Sequence, residues 1–262
     1  MASTAEQLVA ARAEARPLAD FPGTLPADLA GAYAIQDAAL ALVPGAPVGW
    51  KVAMIAPAFR ERYTAERLVG PIAAGTVQTV ADGGRVTARV FEGGFAAVEA
   101  EFVVRVTGTP PTEPGEWLGD TRAFASLHVG AEIASSPLAT INAIGPGAVI
   151  SDHGNNAGAI VGPQIPDARF GDWEGLISRT VVDGALVGEG SAARVPGGPF
   201  AAVAFLAAQL AGRGRTLAPG DVVLTGMTTG VHSVRIGQVA RLEFPGIGTF
   251  EVDFSPCPDG KK

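Results

Sequence analysis

Glu99 and Glu101 stand one residue apart inside the apolar run AAVEAEFVVRV, residues 96–106. Side chains on a strand alternate between its two faces. Val98, Ala100, Phe102, Val104 and Val106 then share one face, and both glutamates fall on the other. Two carboxylates so placed lie roughly 6.5–7 Å apart along the chain and repel each other. A hard divalent cation removes the repulsion, because Mg²⁺ and Mn²⁺ favour oxygen ligands and keep positions open for water or a guest molecule. A third acid in a similar setting is Glu132, in SLHVGAEIASS (126–136), where alternation puts His128, Gly130 and Glu132 on one side. The same E-x-E spacing also suits the solvated face of an amphipathic edge strand, and Glu132 alone does not decide between the two.

Lys51 is the basic counterpart. In VGWKVAM (48–54) it sits between Trp50 and Val52, with Gly49 and Ala53 on its own face. Desolvation in such a frame lowers a lysine pKa and suits it to proton transfer, while an ordinary strand lysine snorkels to solvent. Two polar loops are candidates for ligand contacts. SDHGNN (151–156), with Asp152, has turn chemistry. TGMTTG (225–230) offers the hydroxyls of Thr225, Thr228 and Thr229 and the backbone at Gly230 as a carboxylate grip. His128, His153 and His232 share no short spacing, and no H-E-x-x-H, nucleophile elbow or phosphate-binding glycine motif occurs. One cysteine and scattered histidines argue against zinc.

These residues need rigid elements to hold them. Short strands are predicted at 48–54, 98–106, 128–134, 179–188, 221–226, 239–244 and 248–254, with Asp183-Gly184 as a hairpin turn. Helices are predicted at the N-terminus, where Ser3 and Glu6 have capping-box spacing, from near Pro26 to the Pro44-Gly45 stop, and from Pro199 to about Leu210. The last is too apolar for a free surface and should pack on a sheet. Residues 149–162 read as a polar loop between apolar segments. The expected organisation is a helical region over 1–47 and a β-rich catalytic unit over 48–262, together an α+β chain.

Composition sets the outer limits. At 262 residues with 47% hydrophobic and 17% charged side chains, the chain can bury a sizeable core. A net charge of −7 without basic runs makes nucleic acid and anionic membrane surfaces poor partners. The lone Cys257 excludes an internal disulfide framework. The start of the chain reads as an acidic helix rather than a leader, and no apolar stretch is long enough for a membrane span, so a cytoplasmic protein is expected.

Taken together, AGAYAIQDAAL, GWKVAM, VEAEFVVRV, VGAEIASS, SDHGNNAGAIVG and VVLTGMTTG resemble, in order and separation, the motifs of the 2-keto-4-pentenoate hydratase family within the fumarylacetoacetate hydrolase superfamily. The resemblance implies a mixed β-roll around Mg²⁺ or Mn²⁺, with Glu99, Glu101 and Glu132 as ligands and Lys51 beside the substrate. It implies a homo-oligomer acting on small 2-oxo or 2-hydroxydienoic acids of aromatic catabolism. Hydration of a 2-hydroxy-2,4-dienoate is the first expectation. Decarboxylation of an oxalocrotonate-type 2-oxo dioic acid comes next. C–C hydrolysis of an acylpyruvate, with His128 or His153 as base, and a non-catalytic 2-oxo-acid binder follow. The chain departs from the hydratase pattern between Lys51 and the E-x-E strand. LVGPIAAGTVQTV (68–80) carries no acid, and the first one after it is Asp82. His153 and Gly154 also replace the more usual Asn and Ala.

Overall fold

Ser3 and Glu6 close a reciprocal capping box at the start of α1 (Thr4–Ala13). Asp28 accepts from the Gly31 N–H and starts α2 (Leu29–Leu42), two residues beyond the predicted Pro26. A computed structural model describes residues 2–258, and after these helices the chain turns to strands. They are β1 (Gly49–Met54), β2 (Arg67–Ile72), β3 (Val77–Thr79), β4 (Gly84–Val90), β5 (Phe95–Val106) and β6 (Ala125–Ser136). Two short helices, α3 (Ile141–Ile144) and α4 (Pro146–Ser151), precede β7 (Asn156–Gln164), β8 (Ile177–Val182) and β9 (Ala185–Ser191). Helix α5 (Pro199–Ala211) is followed by β10 (Val222–Met227), β11 (His232–Ser233), β12 (Val239–Phe244) and β13 (Gly248–Pro256). Among the described residues no helix is long and apolar enough to cross a membrane.

The strands form two mixed sheets. One runs β2-β1-β10-β5-β6-β7-β3, with β11 added beside β5, and the other runs β4-β13-β12-β8-β9. The β8–β9 hairpin turns at Asp183 and Gly184, both with positive φ (47° and 83°), as a two-residue primed turn requires. The segment expected as a loop over 149–162 is helix up to Ser151 and strand from Asn156. Its apolar half pairs with β6, so tertiary pairing overrides its glycine content.

Strand β5 lies between β10 and β6, so it is no edge. Val98, Ala100, Phe102, Val104 and Val106 enter the main core with Phe244, Phe250 and Trp117, and α5 packs into the same core through Val203, Leu206 and Leu210. On the opposite face Val103 joins a smaller cluster with Ile72, Val161 and Leu224. Both faces of the glutamate strand are therefore dry, which rules out the solvated-edge alternative for Glu99 and Glu101. The fold is α+β, as the sequence predicts.

Candidate metal centre and active site

Antiparallel register places Glu99 directly opposite Glu132, and Glu101 opposite Gly130. Directly opposed residues point to the same side of a sheet, so three carboxylates from two neighbouring strands converge. One oxygen from each lies within 4.8 Å of the others, and the residues are only 7%, 1% and 0% exposed. Burial first, then the charge of Glu132, pushes the Glu99 carboxyl up to about 8. The same two causes, with Glu99 added, hold Glu101 well above the usual carboxylate range.

A divalent cation fits this set on two counts. Glu101 Oε1 is buried with no hydrogen-bond partner among the described residues, while Oε2 accepts the Gly226 N–H at 2.8 Å. With all three carboxylates ionised, the Lys51 ammonium leaves two uncompensated negative charges among buried side chains, which a divalent ion balances.

Lys51 is 3% exposed, and its Nζ lies 3.2 Å from Glu132 Oε1 and 3.0 Å from Asn155 Oδ1. Burial pushes this ammonium down, but Glu132, Glu99 and Glu101 outweigh it, and the net shift is upward. The expected fall in the Lys51 pKa is therefore corrected: three nearby anions exceed the desolvation penalty, and the group stays charged. The lysine stem passes beneath the 153–155 turn. A Cβ on Gly154 would approach Lys51 Cε to 3.0 Å, and one on Gly70 would lie 2.5 Å from the His153 carbonyl.

That turn is clamped from α1. Arg12 Nε donates to Asp152 Oδ1 at 2.5 Å and Nη2 to Oδ2 at 3.0 Å, and the same guanidinium reaches the carbonyls of Ser135, Asp152 and Asn156. Asp152 is thus consumed by Arg12 and does not line the cavity described below. Its two neighbours carry the contacts: Asn155 Oδ1 receives Lys51, and Asn156 Nδ2 donates to Glu132 Oε1 at 2.9 Å. The Asn155 amide is oriented in turn by Asn142 Oδ1 at 3.0 Å.

The threonine loop straddles the metal strand. Thr225 Oγ1 donates to Phe102 O and Thr228 Oγ1 to Ala100 O, one on each side of Glu101. A bulge between Leu224 and Met227, with Gly226 at φ 120°, turns the Gly226 N–H onto the Glu101 carboxylate. That backbone favours glycine. The Thr225 and Thr228 hydroxyls therefore already serve the scaffold. Thr229 bonds Thr180 Oγ1 at 2.8 Å, and Thr229 and Gly230 face the cavity through the same loop.

A cavity of about 450 Å³ opens over Lys51 and Glu99, walled by the threonine loop, Asn142, Asn155 and apolar side chains such as Ile55, Leu68 and Val149. Its charged lining is Lys51, Arg67, Arg194 and Glu99. Among the described residues no histidine lines it. His128 bonds Ser126 and the Gly162 carbonyl, and His153 is half-buried beside Arg12; desolvation, then the Arg12 charge, lowers its pKa to about 4. Sequence reasoning missed Asn142, Arg67 and Arg194, which belong to no short pattern. It missed Asn155 by choosing Asp152 from the same loop.

Residues 140–255 match the family described as Fumarylacetoacetate (FAA) hydrolase C-terminal. The chain is 28% identical over 158 residues to the 4-oxalocrotonate decarboxylase of Pseudomonas putida, and it spans 59% of the length of that curated relative. The solved 4-oxalocrotonate decarboxylase from Pseudomonas putida G7, complexed with magnesium and adipate, has the same fold. Its TM-score is 0.75 at 23% identity, covering 96% of each chain. Fumarylpyruvate hydrolase from Pseudomonas aeruginosa, in complex with Mn²⁺ and pyruvate, aligns with a TM-score of 0.56 at 18% identity, over 82% of this chain and 98% of that one. The chain thus shares the fold of these enzymes, and its matched segment, residues 140–255, follows the strands that carry Lys51 and the acidic triad.

Proposed function

We propose that the protein is a divalent-metal-dependent lyase that removes CO₂ from a short unsaturated 2-oxo dioic acid. The observation that carries this reading is the cavity lining: among the described residues it holds no carboxylate other than Glu99 and no histidine beside Lys51 and the acidic triad. Decarboxylation needs an electron sink and a proton, and it needs no group to activate water. The likeness to 4-oxalocrotonate decarboxylases in sequence and fold points the same way.

Glu99, Glu101 and Glu132 would hold Mg²⁺ or Mn²⁺. When bound, such an ion supplies a Lewis-acidic contact for the C1 carboxylate and 2-oxygen of the substrate. Lys51 has three N–H donors, of which Glu132 and Asn155 engage two. The third is free for the 2-oxygen. In a 2-oxo-3-ene-1,6-dioate the bond to the distal carboxyl carbon breaks, and its electron pair moves through the conjugated chain to the 2-oxygen. CO₂ leaves, and one proton from Lys51 onto that oxygen completes a 2-hydroxydienoate. Solvent then reprotonates the amine.

Hydration of a 2-hydroxydienoate is the second reading, favoured by Lys51 and the 225–230 loop sharing one cavity. Acylpyruvate hydrolysis loses its support, because His128 and His153 lie off the cavity. Incubation of the Mn²⁺-supplemented protein with a 2-oxo-3-ene-1,6-dioate, a 2-hydroxydienoate and an acylpyruvate separates these activities. CO₂ release from the first is expected. Loss of diene absorbance from the second, without CO₂ from the first, would replace decarboxylation by hydration. Ligand binding without turnover of any of them would leave a binding protein.

A further inference from the structure

The cavity carries more positive charge than the metal chemistry uses. Lys51 is held at the triad by Glu132 and Asn155, where the 2-oxygen uses it, and Glu99 belongs to the triad. Arg67 and Arg194 remain. Arg67 pairs in register with Met54, three residues beyond Lys51 along β1, or about 10 Å at strand rise. Its Nη2 donates to the Pro196 carbonyl, and its guanidinium lies over the Phe205 ring. The turn that holds Pro196 also holds Arg194, and both arginines line the same cavity as Lys51 and Glu99. Arg194 is exposed and has no hydrogen bond or ion pair among the described residues. A Cβ added to Gly190 would lie 2.0 Å from the Thr228 carbonyl oxygen and 3.4 Å from Arg194 Cγ, so the Arg194 stem runs beside the threonine loop.

We infer that Arg194 is a specificity-determining residue that reads a second carboxylate, making the site selective for dicarboxylates over monocarboxylates of equal length. This rests on the 2-oxo-acid reading of the site and deepens it. An extended six-carbon dioic acid with its 2-oxo end at the glutamates directs its other carboxylate toward this arginine. The contact belongs to ground-state binding, because the negative charge it meets disappears as CO₂ forms. Its loss therefore raises KM and does not lower kcat. The product, left with one carboxylate, loses the same contact, which favours release.

The test compares hexanedioate with hexanoate as ligands of the Mg²⁺-supplemented protein by calorimetry, for wild type, Arg194→Met and Arg194→Lys. Wild type should bind the diacid more tightly by about fivefold or more. Arg194→Met should erase that preference, and Arg194→Lys should restore part of it. An equal preference in wild type and Arg194→Met overturns the inference, and so does a wild type with no preference. Because this readout is binding, a protein that keeps the preference but releases no CO₂ overturns the decarboxylase reading alone. If CO₂ is released, a rise in KM for the dioic acid in Arg194→Met supports the assignment, and a fall in kcat at unchanged KM contradicts it.

Discussion

At the scale of single residues, the site is a charge problem solved by position. Glu99, Glu101 and Glu132 cannot all be ionised at neutral pH in a dry space without a counter-charge, and Lys51 supplies only one. Glu101 and Lys51 should therefore fail differently. Glu101→Ala removes the carboxylate with the unpartnered oxygen, and it should abolish the rise in melting temperature that Mg²⁺ or Mn²⁺ gives wild type. Lys51→Met removes a positive charge from beside the ion site. It should retain that metal-induced rise while turnover drops about 10²–10⁴-fold. Calorimetric melting with and without metal, alongside CO₂ release, checks both. A Lys51→Met protein that turns over normally would remove the lysine from the chemistry.

At the scale of elements, the 152–156 turn is the joint between the scaffold and the site. It hangs from α1 through Arg12 and presses on β2 at Gly70. Arg12→Ala would strand the Asp152 carboxylate, which is 1% exposed, without its partner. The expected loss in urea unfolding is about 3–5 kcal/mol. Gly70→Ala meets backbone at 2.5 and 2.7 Å, which a side-chain rotation cannot relieve. It should cost about 1–3 kcal/mol and displace Asn155 from Lys51, lowering kcat as well as stability. A Gly70→Ala protein of wild-type stability and rate would show that the turn is not seated this tightly.

At the scale of the whole molecule, the triad ties global stability to pH and metal together. A carboxyl whose pKa is raised on folding binds its proton more tightly in the native state. Its contribution is full below the ordinary value of 4.5 and is lost as pH climbs through the folded value, about 8 for Glu99. The metal-free protein should thus melt at progressively lower temperature between about pH 6.5 and 8, above the range from about 4 to 6.5 in which the lowered His153 pKa acts with the opposite sign. Saturating Mg²⁺ or Mn²⁺ should largely flatten that slope, because it favours the ionised carboxylates. A slope of the same size with and without metal would mean that the ion does not sit among these three groups.

What could be read from the chain alone was local. Two-residue alternation put Glu99 and Glu101 on one face of a strand, and three-residue spacing set the Ser3–Glu6 cap. Both depend only on neighbouring backbone geometry, which short stretches of sequence determine. The tertiary structure decided whatever depends on which distant segments meet. It made β5 an interior strand and brought Glu132 opposite Glu99. It gave Asp152 to Arg12 from 140 residues away, so that Asn155 rather than Asp152 faces the cavity, and it raised rather than lowered the Lys51 pKa. It also brought Arg67 and Arg194 into the lining of the cavity. Strand order and register fix these encounters, and the Coulomb energy between buried groups depends on the resulting distances and dielectric, neither of which spacing along the chain encodes.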